Sequence, residues 1–329
     1  MERLPEFRLA RPASYAEAAA LLAGEPAARL VAGGTDLVPN LRRGIERPPL
    51  LVDLGAVAGR AEMDFDAAGL RLGAGVTLAR LAADARIAAG WTALAEAARS
   101  AAGPGHRSVA TLGGNLCLDT RCVFYNQSEW WRQANGGCLK RGGDTCHVAP
   151  QGQRCHAAFS GDLAPALIVL GAEAELLSAR GTRRLPLADC YRDDGAAALA
   201  FERDEVLTAV RLPPPAPGAS GYRKARVRGS MDFPLAGVAC ALALRDGALA
   251  ALQLALTGTQ SRPLRLAGTE ALLGAPFDEG ARAALGKLVQ KQVSPMRTTA
   301  TPSNYRRLVA AVQAQRLVAE LCAAAQAGA

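Results

Sequence analysis

Five of the eight cysteines in this 329-residue chain, at positions 117, 122, 138, 146 and 155, fall inside one 39-residue window. In a reducing compartment such a cluster is more often a metal site than a disulfide framework. Cys122, Cys138, Cys146 and Cys155 are separated by 15, 7 and 8 residues. Four thiolates can grip either a tetrahedral zinc or a [4Fe–4S] cluster. Zinc ligands ordinarily come in C-x2-4-C pairs, which this spacing lacks, so the pattern leans to iron–sulfur; four buried free thiols are the bland alternative. Glycines at 136, 137, 142, 143 and 152 suit a loop wrapped round a compact centre, and Phe124, Tyr125, Trp130 and Trp131 are placed to shield it. Cys117 is set aside as a non-ligand. His147 and His156 each follow a candidate ligand and read as its hydrogen-bonding neighbours.

Two glycine turns offer a second chemistry: Val31-Ala32-Gly33-Gly34-Thr35-Asp36 and Ala110-Thr111-Leu112-Gly113-Gly114-Asn115. A Gly-Gly pair admits positive φ and close approach to a ligand. Successive amides in such a turn point into one concavity and suit an anion such as a pyrophosphate, and the helix after the first turn adds its positive end. Gly73-Ala74-Gly75 opens like a dinucleotide fingerprint but lacks the third glycine, so a Rossmann site is not supported. There is no Gly-Lys-Ser/Thr phosphate loop, no His-Glu-x-x-His, and no triad among His106, His147 and His156.

The elements that must position these residues alternate. Phe7-Arg8-Leu9 reads as a strand, and the Ser14/Glu17 capping box opens a helix through Leu22. Arg29 to Ala32 is a buried strand, Leu37 to Arg43 a helix and Leu50 to Leu54 a strand, giving a small α/β lobe over about residues 1–54. A second lobe follows over about 55–216: strand Leu70 to Gly75, a Thr77-capped helix to Ala85, a helix from Thr92 to Ala101, the cysteine insertion at about 117–158, and regular structure again at Leu163–Leu170 and Ala172–Leu177. The proline-rich Leu212–Gly218 is an extended joint. A smaller domain, 217–329, has strands at Tyr222–Val227, Gly237–Leu244 and Leu249–Thr257 and helices at Leu264–Leu273, Asp278–Gln292 and Ser303–Ala325. No internal repeat is present. The expected class is α+β.

Half the chain is hydrophobic and 21% is charged, which supplies packed cores. The net charge of +8 is made almost wholly by scattered arginine, lysine occurring only at 140, 224, 287 and 291. With aromatics at 5%, no basic–aromatic face suggests nucleic acid. No uninterrupted run approaches the roughly 20 apolar residues of a membrane span, and the N-terminus lacks a secretory pattern. The expected setting is the cytoplasm.

Val31 to Leu37, Gly73 to Leu78, Ala110 to Asn115 and Ser160-Gly161-Asp162-Leu163-Ala164-Pro165-Ala166-Leu167, in that order, resemble the flavin-binding subunits of molybdenum hydroxylases, the group of xanthine and carbon monoxide dehydrogenases. Lys224 to Asp232 fits as well. The resemblance implies a two-lobed, vanillyl-alcohol-oxidase-like FAD-binding domain with a smaller C-terminal domain of antiparallel sheet and helices. It implies that Arg29, Leu30, Val31, Ala32, Gly33, Gly34, Thr35 and Asp36 wrap the FAD pyrophosphate and that Thr111, Leu112, Gly113, Gly114 and Asn115 contact the cofactor from the other side. Asp162 would bond the nucleotide's sugar or adenine end, and Lys224 would approach the isoalloxazine. In most of the family Asn115 would lead almost directly to Asp162; here 46 residues intervene. Asp119 to Cys122, Tyr125 to Trp131 and Cys138 to Lys140 resemble the β subunits of 4-hydroxybenzoyl-CoA reductases. That likeness implies a [4Fe–4S] cluster on Cys122, Cys138, Cys146 and Cys155, a ferredoxin donor, a small [2Fe–2S] subunit and a large molybdenum subunit that dehydroxylates the substrate to benzoyl-CoA. The alternatives are the FAD subunit of a xanthine- or CO-dehydrogenase-like enzyme and a zinc-stabilised scaffold without redox function.

Overall fold

The computed structural model describes residues 4–298 and 301–327, so the start of the N-terminal reading, Met1 to Arg3, lies outside the described residues. Three strands, β1 (Arg8–Ala10), β2 (Arg29–Val31) and β3 (Leu50–Asp53), form a parallel sheet in the order β1-β3-β2. Their crossover helices begin where local chemistry dictates. The Ser14 hydroxyl accepts the Glu17 N–H at 3.2 Å while the Glu17 carboxylate accepts the Ala13 N–H at 2.8 Å, and the helix Tyr15–Gly24 starts there. The short helix Leu37–Arg42 follows the first glycine turn directly.

The second lobe contains a five-stranded antiparallel sheet, with the helix Tyr15–Gly24 against one face through Val206 and Leu177 and the lobe's own helices against the other. Its strands are β4 (Met63–Asp66), β5 (Gly69–Gly73), β6 (Glu173–Ser178), β7 (Gly181–Pro186) and β8 (Val206–Leu212), in the order β4-β5-β8-β6-β7. The helix expected from Leu78 to Ala85 ends instead at Ala83. Asp84 accepts the Arg86 N–H at 2.9 Å and so caps a new helix, Ala85–Gly90. The main core joins β5, β6 and β8 to the helices Thr92–Ser100 and Leu163–Val169.

Beyond the prolines, β9 (Ala219–Ala225), β10 (Ala236–Arg245), β11 (Ala248–Thr257) and β12 (Leu264–Arg265) make an antiparallel sheet in the order β12-β11-β10-β9. The helix expected over Leu264–Leu273 is not formed. Leu264 and Arg265 pair with Leu256 and Ala255 on the free edge of β11, and Gly268 at φ 82° turns the chain into a short 3-10 segment, Thr269–Leu272. The helices Glu279–Gln292 and Ser303–Ala327 cover one face of this sheet. On the other face Tyr222, Ala239 and Ala255 join the main core. The chain is therefore a mixed α+β structure in which the C-terminal sheet lies between its own helices and those of the second lobe. Ser303–Ala327 is long and apolar enough to cross a membrane by length and composition, but Ala310, Ala314, Leu317 and Val318 bury one stripe of it in the second core.

Arg306, 2% exposed, ties that long helix to the sheet. Its guanidinium donates to the carbonyls of Leu235, Gly258 and Met296, and burial pushes its pKa down to about 10. Replacing it by methionine orphans the buried carbonyls of Leu235 and Gly258 and the half-buried one of Met296. Arg306→Met should cost about 3 kcal/mol, read as a lower urea midpoint.

Candidate functional site

The first glycine turn leaves β2 at Val31 and bends at Gly34, whose φ of 68° is open to glycine and costly for other residues. Gly33 has no space for a side chain, since a Cβ there would stand 2.0 Å from the Val109 carbonyl oxygen. The two turns are thus in direct backbone contact. Among the described residues, no protein group receives the N–H of Gly33, Gly34, Thr35 or Asp36. The Asp36 carboxylate accepts from Asn40 at 2.9 Å and from Arg121 at 3.1 Å; burial raises its pKa, and Arg121 opposes the rise. Arg29 does not reach the turn. It pairs with Glu46 at 3.5 Å on the wall of a cavity of about 1200 Å³ between the N-terminal lobe and the cysteine insertion.

The second turn differs from the expected row of free amides. Leu112 N–H donates to the Val76 carbonyl and Gly113 N–H to that of Ala74, each at 2.8 Å. Gly114 N–H donates to the Thr111 hydroxyl at 3.1 Å, and Asn115 N–H to the Thr111 carbonyl at 3.0 Å. Thr111 caps the helix Leu112–Leu116, so its amides are consumed at home. Gly113 instead supplies closeness: a Cβ there would stand 2.9 Å from the Cβ of Ala74. The Asn115 carboxamide accepts the Leu163 N–H at 3.0 Å and anchors the next signature.

Asp162 and Lys224 were expected at opposite ends of a dinucleotide. They touch each other. Lys224 Nζ lies 3.0 Å from Asp162 Oδ2, with the side chains 3% and 6% exposed, and the Tyr222 hydroxyl donates to Asp162 Oδ1 at 2.7 Å. Burial pushes the Asp162 carboxyl up, and Lys224 opposes it. In this structure each of the two charges is the other's partner. What the geometry builds is a desolvated ion pair across the domain joint.

The cysteine insertion is closed at its neck by Arg121 and Ala158, which exchange backbone bonds of 3.0 and 2.8 Å. Cys122, Cys138, Cys146 and Cys155 are all buried, and Cys117 lies apart against the main core. Burial raises the thiols of Cys122 and Cys155, the latter to about 11. Cys122 also feels Cys138 and Cys146, and Cys155 feels Cys146 and Cys122, so the four sulfurs share one electrostatic neighbourhood. Backbone N–H groups of Tyr125 and Ala157 point at the sulfurs of Cys122 and Cys155 at 3.2 and 3.5 Å. Among the described residues no three His, Cys, Asp or Glu side chains are gathered tightly enough for a single metal ion. His147 Nε2 is bonded to the Gly137 carbonyl at 2.7 Å. Phe124 stacks on Trp131 and His147, and Tyr125 is buried, but Trp130, expected as a shield, is 77% exposed.

Sequence reasoning missed the residues that clamp the insertion to the N-terminal lobe. Arg121 reaches Asp36, Arg43 donates to the Asn126 carbonyl at 2.6 Å, and Glu46 accepts from Tyr125 at 2.9 Å and Arg141 at 2.8 Å. The signal available was the charges Asp119, Arg121, Lys140 and Arg141 close to the cysteines of the window.

Residues 5–215 match the FAD binding domain in molybdopterin dehydrogenase, and residues 220–321 the CO dehydrogenase flavoprotein C-terminal domain. The aldehyde oxidoreductase FAD-binding subunit of Escherichia coli K12 is 34% identical over 81% of this chain and 86% of its own. The carbon monoxide dehydrogenase medium chain of Afipia carboxidovorans is 28% identical, covering 95% of both. In the solved structure of reconstituted CO dehydrogenase from Oligotropha carboxidovorans, one chain superposes with a TM-score of 0.80 at 26% identity, covering 98% of this chain and 99% of that one.

Two outcomes follow from this geometry. Gly34→Val forces a branched side chain into positive φ, and the purified protein should lose its visible flavin absorbance. Lys224→Met leaves a buried carboxylate uncompensated and should lower stability by about 3–5 kcal/mol. Adding Asp162→Leu to it should recover most of that loss in a urea double-mutant cycle.

Proposed function

Given that this chain belongs to the FAD-binding subunits of the molybdenum hydroxylases, we propose that it is the electron-transfer subunit of a 4-hydroxybenzoyl-CoA reductase-type enzyme, carrying FAD and a [4Fe–4S] cluster. The observation that supports the second cofactor is the insertion's set of four buried thiols, two of them already accepting backbone N–H bonds. Amide-to-sulfur bonds are among the features that set an iron–sulfur potential. A [4Fe–4S] cluster takes four thiolate ligands, the number the insertion supplies. Cys122, Cys138, Cys146 and Cys155 would hold it.

The unpaired amides of Gly33 to Asp36 would face the FAD pyrophosphate, and the close-packed second turn would wall the other side. Asp162, Tyr222 and Lys224 hold the C-terminal domain against the flavin lobe and keep water from that joint. When bound, FAD supplies one- and two-electron steps and the cluster one-electron steps. Nothing in the chain resembles a molybdenum or thioester site, so the substrate chemistry, reductive dehydroxylation to benzoyl-CoA, belongs to a large molybdenum subunit, with a small [2Fe–2S] subunit between and a ferredoxin as donor in the cytoplasm. Neither membrane nor nucleic acid takes part. A second reading, an oxidative enzyme of the aldehyde-, xanthine- or CO-dehydrogenase kind, is favoured by the names of the relatives above.

Anaerobically purified complex should contain about four irons per chain in the insertion, with acid-labile sulfide, and should form benzoyl-CoA from 4-hydroxybenzoyl-CoA with reduced ferredoxin. Cys138→Ser should lose that iron and keep most of the flavin, because the insertion lies outside the glycine turns. Full iron content in the serine variant would discard the ligand set, and oxidation of an aldehyde or purine in place of dehydroxylation would favour the second reading.

A further inference from the structure

Tyr125 lies at the centre of the insertion, 1% exposed, with four cations around its ring. Lys140 Nζ is 4.6 Å from the ring centroid, and the guanidinium carbons of Arg121, Arg141 and Arg132 are 5.4, 5.6 and 5.9 Å away. The arginines have evident structural duties. Arg121 serves Asp36, Arg141 serves Glu46, and Arg132 donates to the carbonyls of Tyr125 and Gln127.

Lys140 is different. Its backbone sits in the tight turn begun by Cys138, where the Arg141 N–H donates to the Cys138 carbonyl at 2.7 Å. Its side chain, 9% exposed, folds back to the segment just before Cys122. There Nζ donates to Thr120 O at 2.8 Å, Thr120 Oγ1 at 2.7 Å and Asp119 Oδ1 at 2.6 Å. The Thr120 hydroxyl is itself fixed, donating to the Gly195 carbonyl at 2.6 Å. All three ammonium protons are therefore spoken for, and the charge is immobile between the turn of one candidate ligand and the approach to another. Burying an ammonium is costly unless an opposite charge accompanies it, and Asp119 alone, more exposed than Lys140, is a thin counterweight.

We infer that Lys140 is the fixed cation that sets the reduction potential of the four-cysteine centre, a positioning and tuning residue and not a ligand. This rests on the reading that those cysteines hold a [4Fe–4S] cluster. A four-thiolate cubane is anionic and gains one further negative charge when it takes an electron, so a nearby immobile cation favours the reduced form.

The test is an anaerobic redox titration of the intact complex with dithionite, followed by electron paramagnetic resonance, beside assays of iron and labile sulfide. Lys140→Met should keep its iron and shift the reduction equilibrium about tenfold toward the oxidised form, a midpoint about 59 mV lower for one electron. Lys140→Arg should restore the wild-type value. An unchanged midpoint in an iron-replete Lys140→Met would overturn the inference. Should the methionine variant lose iron, retention by Lys140→Arg supports the charge requirement, and loss from both overturns it in favour of a packing role. A wild-type complex without insertion iron would end the cluster reading itself, and the iron assay shows that before any variant is made.

Discussion

The backbone of Gly33 lies against the carbonyl of Val109, at a distance that excludes even a methyl group. That contact fixes the N-terminal lobe on the second lobe at one register. Dispersion gains at such a contact are small per atom, and they accumulate because the surfaces match over many atoms. Glycine is required on both sides of the wall: Gly33 at the lobe contact and Gly113 against Ala74. The division of labour between the turns follows. One leaves its amides without a partner among the described residues; the other spends them on its own cap and on the Gly73–Val76 segment. A pair of similar motifs in sequence becomes an open turn and a buttress in space.

The insertion depends on the same arrangement. Arg121 stands next to Cys122 in the chain and yet reaches Asp36 at the end of the first turn. The thiol pocket and the amide-bearing turn therefore share one charged contact, stiffened by Asn40 from the far side. Glu46 provides a second anchor by accepting from both Tyr125 and Arg141. Loop tethers of this sort give a long excursion a single conformation, against the roughly 1–2 kcal/mol of backbone entropy that ordering each residue costs.

Local chemistry was legible in the sequence and non-local chemistry was not. Ser14 and Thr77 cap the helices they were read to cap, because an N-cap is decided by residues two or three positions on. Asp84 was overlooked as a second cap, and one helix became two. The segment Leu264–Leu273 has helical composition, but the open edge of β11 captured its first residues, an outcome that depends on a strand folded elsewhere. The edge strands β4 and β7 escaped notice because β7 is largely exposed and polar and β4 is short. In the site, the glycines could be read for their conformational freedom, but which amides remain unpaired is settled by Val76 and Ala74, more than thirty residues upstream. The four thiols could be grouped by proximity in the chain, whereas the contacts of Arg121 and Lys140 could not.

The joint between the domains shows what residue type alone left out about Lys224. A lysine after a flexible proline linker reads as a solvated or ligand-facing cation. In the structure, β9 packs on the helix Thr92–Ser100, which excludes water and leaves Asp162 as the one carboxylate in reach of Nζ, with the Ser100 carbonyl at 3.3 Å as the other acceptor. A buried pair of this kind contributes little net stability over a hydrophobic substitute, yet breaking one half of it is expensive. Its value is selectivity: only one docking of the C-terminal sheet places the ammonium, the carboxylate and the Tyr222 hydroxyl within bonding distance together. Any other orientation leaves a charge stranded in apolar surroundings. The joint is thereby held to a single geometry, and a flavin seated between the two domains would meet the same walls in every molecule.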